Sequence, residues 1–193
     1  MNQIREVRQA IIQNIELVVA AGAAYADARY YADDSSETLV LYDGNLEAND
    51  TTVESGIGVR VLWSGAWGFA ATSDTVDVRA CFDQALQNAQ TAAQLIRVPL
   101  GMGRQTGHIG SYASPVEVDP FAVSLPDKLE FLQAIDDRLV ADWILKRLVY
   151  ANLQRKHILF FNSDGTEIEK HLTNSFGRRG RVAGAIRGSC RRA

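Results

Sequence analysis

Three histidines and two cysteines limit the metal and nucleophile chemistry open to this 193-residue chain. The histidines are His108, His157 and His171, and no two of them stand three or four residues apart. A helical metal pair needs that interval, because only then do two imidazoles leave one face and converge on one ion. Cys81 and Cys190 each stand alone, outside any Cys-x-x-Cys or Cys-His arrangement. Asp136 and Asp137 are adjacent, so on a helix they point to different sides; with Asp142 they read as a solvated face, not a carboxylate ligand set. There is no Gly-x-Ser-x-Gly elbow, and Gly101-x-Gly103 lacks the lysine and helix start that a phosphate loop requires. The spacing predicts no catalytic group and no metal ligand among these residues.

Residues suited to binding are concentrated in Ser55-Gly-Ile-Gly-Val-Arg-Val-Leu-Trp-Ser-Gly-Ala-Trp-Gly-Phe-Ala-Ala-Thr-Ser73. Apolar residues alternate on both sides of Ser64-Gly65, which predicts two strands about a tight turn. Ile57, Val59, Val61 and Trp63 share one face, and Arg60 and Leu62 the other. Gly56, Gly58 and Gly68 give up side-chain packing, so each marks a bulge, a bend or a close backbone approach. Such a hairpin is either buried or open to an extended peptide. Arg60 is expected to pair with Asp43, Glu47 or Glu54, and otherwise to receive a peptide carboxylate. Trp63, Trp67 and Phe69 flank the turn and suit core or dimer packing, or a recognition platform. The candidate substrate-binding residues are Arg60, Trp63 and Trp67.

The elements that must position them follow from periodicity. Ile4, Val7, Ile11, Ile15 and Val18 form a helical stripe ending near Gly22. Tyr25–Ala32 and Glu37–Tyr42 read as strands, and the Asp43-Gly44 turn leads into a third over Asn45–Val53. Val78, Phe82, Ala85, Leu86, Ala89, Ala93 and Ile96 mark a second helix, capped at Ser73 or Asp74 and ended by Pro99 and Gly101. Pro126 suits the first turn of a third helix, whose buried face is Leu129, Leu132, Ile135 and Leu139. Leu148–Leu153 and Ile158–Phe161 suggest strands paired about Gln154–His157, with a further turn at Asp164-Gly165. The fold class is α+β: helices packed on an antiparallel sheet of four to five strands, plus a second helix-and-hairpin unit. The divisions are 1–98, an exposed Gly-rich linker at 99–118 that leaves His108 in solvent, 119–176, and a disordered tail at 177–193.

An apolar share of 47% and a charged share of 22% fit a soluble globular chain, and two distant cysteines fit a reducing cytoplasm. Gln13, Asn14 and Glu16 interrupt any N-terminal signal segment, and no run reaches the length of a membrane span. The net charge is −3, yet Gly177–Ala193 holds six arginines and no acid. Without those six, 14 basic residues face 23 acids, about −9. An acidic body repels a phosphate backbone, which disfavours nucleic-acid binding even though the tail alone could attract it. The Arg/Gly/Ala-rich ending is expected either from GC-rich DNA translated in a shifted frame or from a genuine short protein.

The order Ala23-Ala-Tyr-Ala-Asp-Ala-Arg-Tyr30, Leu39-Val-Leu-Tyr-Asp-Gly-Asn-Leu-Glu47, the 55–73 hairpin and Thr72-Ser-Asp74 resembles the N-terminal half of the TldD/PmbA family, also called modulators of DNA gyrase. Asp119-Pro-Phe121 and Asn162-Ser-Asp-Gly165 extend the resemblance to about Ile4–Leu172, and Tyr25-Ala-Asp-Ala-Arg29 with Gly65-Ala-Trp-Gly-Phe69 lean toward TldD. The resemblance implies a metallopeptidase whose zinc is held by His-Glu-x-x-x-His in a C-terminal domain. No such segment occurs in this sequence. It implies a scaffold and substrate-guiding role, inactive alone, in a homodimer or TldD–PmbA-like heteromer that receives peptide or unfolded protein. The alternative is a stand-alone interaction module that binds full-length family members.

Overall fold

Local chemistry sets the sharp reversals. A computed structural model describes residues 2–74, 77–103 and 105–183, and in it Asp43-Gly44 has φ of 49° and 80° and Ser64-Gly65 φ of 46° and 82°. Two successive left-handed residues are the turn whose twist matches that of paired strands, and glycine takes the second position without strain. The first turn joins β1 (Tyr25–Tyr42) to β2 (Asn45–Trp63), and the second joins β2 to β3 (Ala66–Thr72). β2 and β3 pair antiparallel from Ile57↔Thr72 to Trp63↔Ala66.

Helices α1 (Asn2–Ala20), α2 (Val78–Ala93) and α3 (Leu125–Asp137) and strands β4 (Ile109–Ala113), β5 (Ile144–Asn162) and β6 (Glu167–Ala183) complete the described elements. The sheet order is β3-β2-β1-β5-β6-β4. The architecture is α+β, helices on a sheet, with one departure from the antiparallel expectation: β4 runs parallel to β6. That strand lies inside the Gly-rich 99–118 stretch, and its five residues are all exposed.

Several strands predicted as separate are continuous. β1 runs unbroken across Asp33–Ser36, and β5 across Gln154–His157, so Leu148–Leu153 and Ile158–Phe161 are one strand whose hairpin partner is β6. Polar composition at these places suggests loops, but the polar groups pair with one another: Ser36 with Thr52, Asn152 with Thr38 at 3.0 Å, and Lys156 with Asp34 at 3.1 Å. β6 also continues through Gly177–Ala183, where the sequence pattern predicts neither helix nor strand. The rest of the Arg-rich tail, including Cys190, lies outside the described residues. α2 is capped by Asp77, whose side chain accepts from the Ala80 amide, not by Ser73 or Asp74. α3 is capped by Ser124, with Pro126 in its first turn.

The chain forms two compact units whose segments interleave, not two blocks in succession: Met1–Asp34, Val53–Ser114 and Arg155–Leu172 in the first, and Ser35–Thr52, Pro115–Gln154 and Thr173–Ala193 in the second. In the first unit the α1 stripe Val7, Ile11, Ile15 and Val18 is buried with Ile57, Val59, Val61 and Phe82. α2 lies against β3 and α1. Gly68 permits the contact with β3, because a Cβ there would sit 2.1 Å from the Ala85 carbonyl oxygen and 2.3 Å from the Ala89 nitrogen. In the second unit Leu39, Leu41, Leu132, Leu139 and Val149 form a separate core. Among the described residues no helix is long and apolar enough to cross a membrane.

Candidate functional site

Because side chains alternate along a strand, burying Ile57, Val59 and Val61 under the helices turns Gly58, Arg60, Trp67 and Phe69 to the other face of the first unit's sheet. β1 adds Asp27, Arg29 and Tyr31, which with Gly58, Arg60 and Phe69 line a groove of about 590 Å3. Gly58 opens it: a Cβ there would meet only the Phe69 ring, at 3.5 Å, so any larger side chain would fill the space. Gly56, at one end, is constrained instead by the Thr72 carbonyl oxygen, 2.9 Å from a Cβ position.

Arg60 crosses this face to a buried acid. Its Nε donates to Asp27 Oδ1 at 3.0 Å and its Nη2 to Oδ2 at 2.6 Å. The expected partners Asp43, Glu47 and Glu54 are not used; Asp43 instead serves Arg147 in the second unit. The Arg60 guanidinium also lies 5.4 Å from the Trp67 ring centroid, and Trp67 meets Tyr25 edge-on at 5.8 Å. Hydrogen bonding to Asp27 raises the Arg60 pKa and keeps it charged, while burial, then the Asp27 charge, pushes the Tyr25 phenol up. Arg29 adds a second cation over an aromatic ring, 5.8 Å from Phe160.

This face of the sheet thus brings Arg60 and Trp67 together, with only Arg60 of the two lining the groove, and leaves Trp63 out. Trp63 lies on the opposite face of β2, with its ring against Gly22, 3.1 Å from the position a Cβ would take. The groove is an apolar slot with aromatic walls and a fixed cation, suited to binding an extended chain. Cys81 is buried, and its thiol is pushed up by desolvation, away from nucleophilic use.

Two constellations escape a reading by helical spacing. Asp136 is not solvated: it is buried and accepts from Arg147 Nε at 3.0 Å. And the β5–β6 hairpin brings two histidines and an acid together, with His157 Nε2 2.8 Å and His171 Nε2 3.2 Å from the same Glu169 Oε1. The two imidazoles stack at 4.1 Å, 24° from parallel. The signal lay in the hairpin: Asn162 and Thr166 bond across its turn, and five residues further out on each side stand His157 and His171. His108 remains exposed, as expected.

Comparison with known proteins agrees with this architecture. The model of the PmbA/TldA metallopeptidase domain 1 matches residues 26–89, from β1 through β2 and β3 into α2. A metalloprotease of Methanocaldococcus jannaschii is 26% identical over 166 residues, covering 84% of this chain and 36% of its own length. A candidate modulator of a DNA gyrase from Thermotoga maritima has a similar fold, with a TM-score of 0.67 at 17% identity, over 93% of this chain and 40% of that one. TldE from Thermococcus kodakarensis aligns with a TM-score of 0.60 at 12% identity, over 88% and 39%. The chain therefore spans between about a third and two fifths of the length of these relatives. Residues 26–89 thus match the first domain of the PmbA/TldA metallopeptidases, and the shared fold extends that likeness over most of the chain.

Proposed function

We propose that this chain is the scaffold and substrate-guiding domain of a TldD-type metallopeptidase and that it holds extended peptide in the groove beside Gly58. The observation that carries this reading is the groove itself, whose walls come from the elements matched by the family model. A backbone without a side chain at Gly58 admits a peptide main chain, Tyr31 and Phe69 offer apolar contact, and Arg60 offers the donors not spent on Asp27. The Phe69 carbonyl oxygen already accepts from Asn88, so the face of the sheet is a better support than strand addition along β3. In this reading the hydrolytic zinc is supplied by protein outside these residues, in a homodimer or a TldD–PmbA-like heteromer in the cytoplasm.

Fluorescence anisotropy with labelled unstructured peptides tests the idea. Peptide should bind the chain, and Gly58→Trp, which fills the groove, should weaken binding by about tenfold, ~1.4 kcal/mol. With zinc present the chain alone should cleave nothing. Equal binding by Gly58→Trp, or chelator-sensitive hydrolysis by the chain alone, would overturn it. A second reading, an interaction module for full-length family members, draws on the apolar surface of the second unit, where Phe131 and Phe176 line a groove of about 450 Å3 and both are exposed. Stable co-purification with an intact family member would favour it.

A further inference from the structure

We propose that His157, Glu169 and His171 form a binding site for a first-row divalent metal ion, zinc foremost, on the β5–β6 hairpin. Each residue offers one ligand atom, and the three atoms lie within 4.8 Å of one another. Two imidazole nitrogens and one carboxylate oxygen suit zinc, and three protein ligands leave the fourth tetrahedral position to water. Tetrahedral bonds of about 2.0–2.1 Å put neighbouring donor atoms about 3.3 Å apart. The observed Nε2–Oε1 separations of 2.8 and 3.2 Å need to open by up to about half an ångström, and the two imidazole nitrogens, within 4.8 Å of each other, need to close to the same spacing.

The hairpin holds the donors in place. His157 and His171 stand opposite each other across two hydrogen-bonded strands, and Glu169 sits two residues from His171, on the same face. Both nitrogens already face one carboxylate oxygen, so an ion entering there takes the two Nε2 lone pairs and the carboxylate oxygen, and each imidazole carries its remaining proton on Nδ1 or gives its Nε2 proton to water. His157 is half-buried and His171 exposed, which leaves a route in from solvent. Glu169 also lines a groove of about 630 Å3 with Arg5, Arg8 and Gln13 of α1. Arg8 pairs with Glu167, so its charge is already countered.

The site has none of the helical spacing that a zinc peptidase motif would show, and we assign it a role in clamping the hairpin, not in hydrolysis. A clamp binds the folded chain more tightly than the unfolded one and so raises its thermal stability, by an amount that grows with the logarithm of free zinc above the dissociation constant.

The test is a zinc titration of the tag-free full chain by isothermal calorimetry, with melting followed in zinc and in chelator. Wild type and His108→Ala should bind one zinc per chain and melt higher with it. His157→Ala and His171→Ala should bind at least about tenfold more weakly and lose the zinc-dependent shift, since even mutating the groups that merely orient metal ligands costs that much. Imidazole NMR of the unaltered chain covers the case in which a variant misfolds: zinc should move the signals of His157 and His171 and leave that of His108. Binding retained in both histidine variants, no stoichiometric binding by wild type, or a shift confined to His108 would overturn the proposal.

Discussion

Arg60 and Asp27 form a two-pronged ion pair across the open face of the sheet, with the aspartate side chain 4% exposed and the arginine 52%. The asymmetry decides what each partner contributes. Asp27 has left water and is held by the arginine, with the Tyr25 phenol as a second hydrogen-bond partner. Arg60 keeps half its surface in solvent and can be rehydrated when its partner is lost.

Truncating the arginine should therefore cost more than truncating the acid. We expect Arg60→Ala to destabilise the first unit by about 2 kcal/mol, below the 3–5 typical of a fully buried pair because Arg60 is half in solvent. Asp27→Ala should cost about 1 kcal/mol, since the freed guanidinium turns to water. Urea denaturation of both single variants and the double variant would measure this, and a larger loss for Asp27→Ala would reverse the assignment.

Gly68 makes a steric prediction. An added Cβ would press on backbone atoms of Ala85 and Ala89, and backbone cannot swing aside as a side chain does. Gly68→Ala should cost about 3 kcal/mol by driving α2 from β3. Gly110→Ala, where a Cβ meets nothing within 4 Å, should stay within roughly 0.5 kcal/mol of wild type. Equal melting temperatures for the two variants would show that α2 can shift at little cost.

What the sequence made legible was the local grammar. Asp43-Gly44 and Ser64-Gly65 dictate turns by backbone conformation, and the α1 stripe dictates its own buried face, so both follow from residues a few places apart. The unread part was strand length and long-range pairing. Polar stretches such as Asp33–Ser36 and Gln154–His157 look like breaks until their cross-strand partners are known. The Arg60 partner was missed for the same reason. Asp27 stands sixteen residues before Asp43 and Arg60 sixteen after Gly44, so counting outward from the turn would have matched them, whereas searching nearby acids did not. The His157–His171 pair needs the same count from Asn162 and Thr166. A test built on helical intervals has no means of seeing it.

Glu169 should make acid stability depend on the hairpin. Hydrogen bonding from His157, then the His157 charge and the bond from His171, holds its carboxyl below the ordinary range, against the opposing effect of burial. A depressed carboxylate contributes stability that is complete above the unfolded value of about 4.3 and is lost as pH falls through the lower folded value. In chelator, the margin by which wild type exceeds Glu169→Gln should therefore shrink as the pH falls below about 4. A margin that stays constant through the acid range would remove the ionised carboxylate from the account.

The most damaging single loss in the second unit should be Arg147. Asp136 is 2% exposed at its side chain, its Oδ2 is held by Arg147 Nε, and its Oδ1 has no hydrogen-bond partner among the described residues. The backbone N–H of the same arginine donates to Asp43 Oδ1 at 2.8 Å, which ties the β1–β2 turn to β5. Arg147→Ala would strand a buried charge and should cost about 3 kcal/mol, while Asp136→Asn removes that charge and should cost less. Combining the two changes should recover part of the loss, because the neutral amide no longer needs the cation. Denaturation midpoints of the three variants decide the point: if the double variant is no more stable than Arg147→Ala, the cost lies in the lost packing of the arginine stem and not in the orphaned carboxylate.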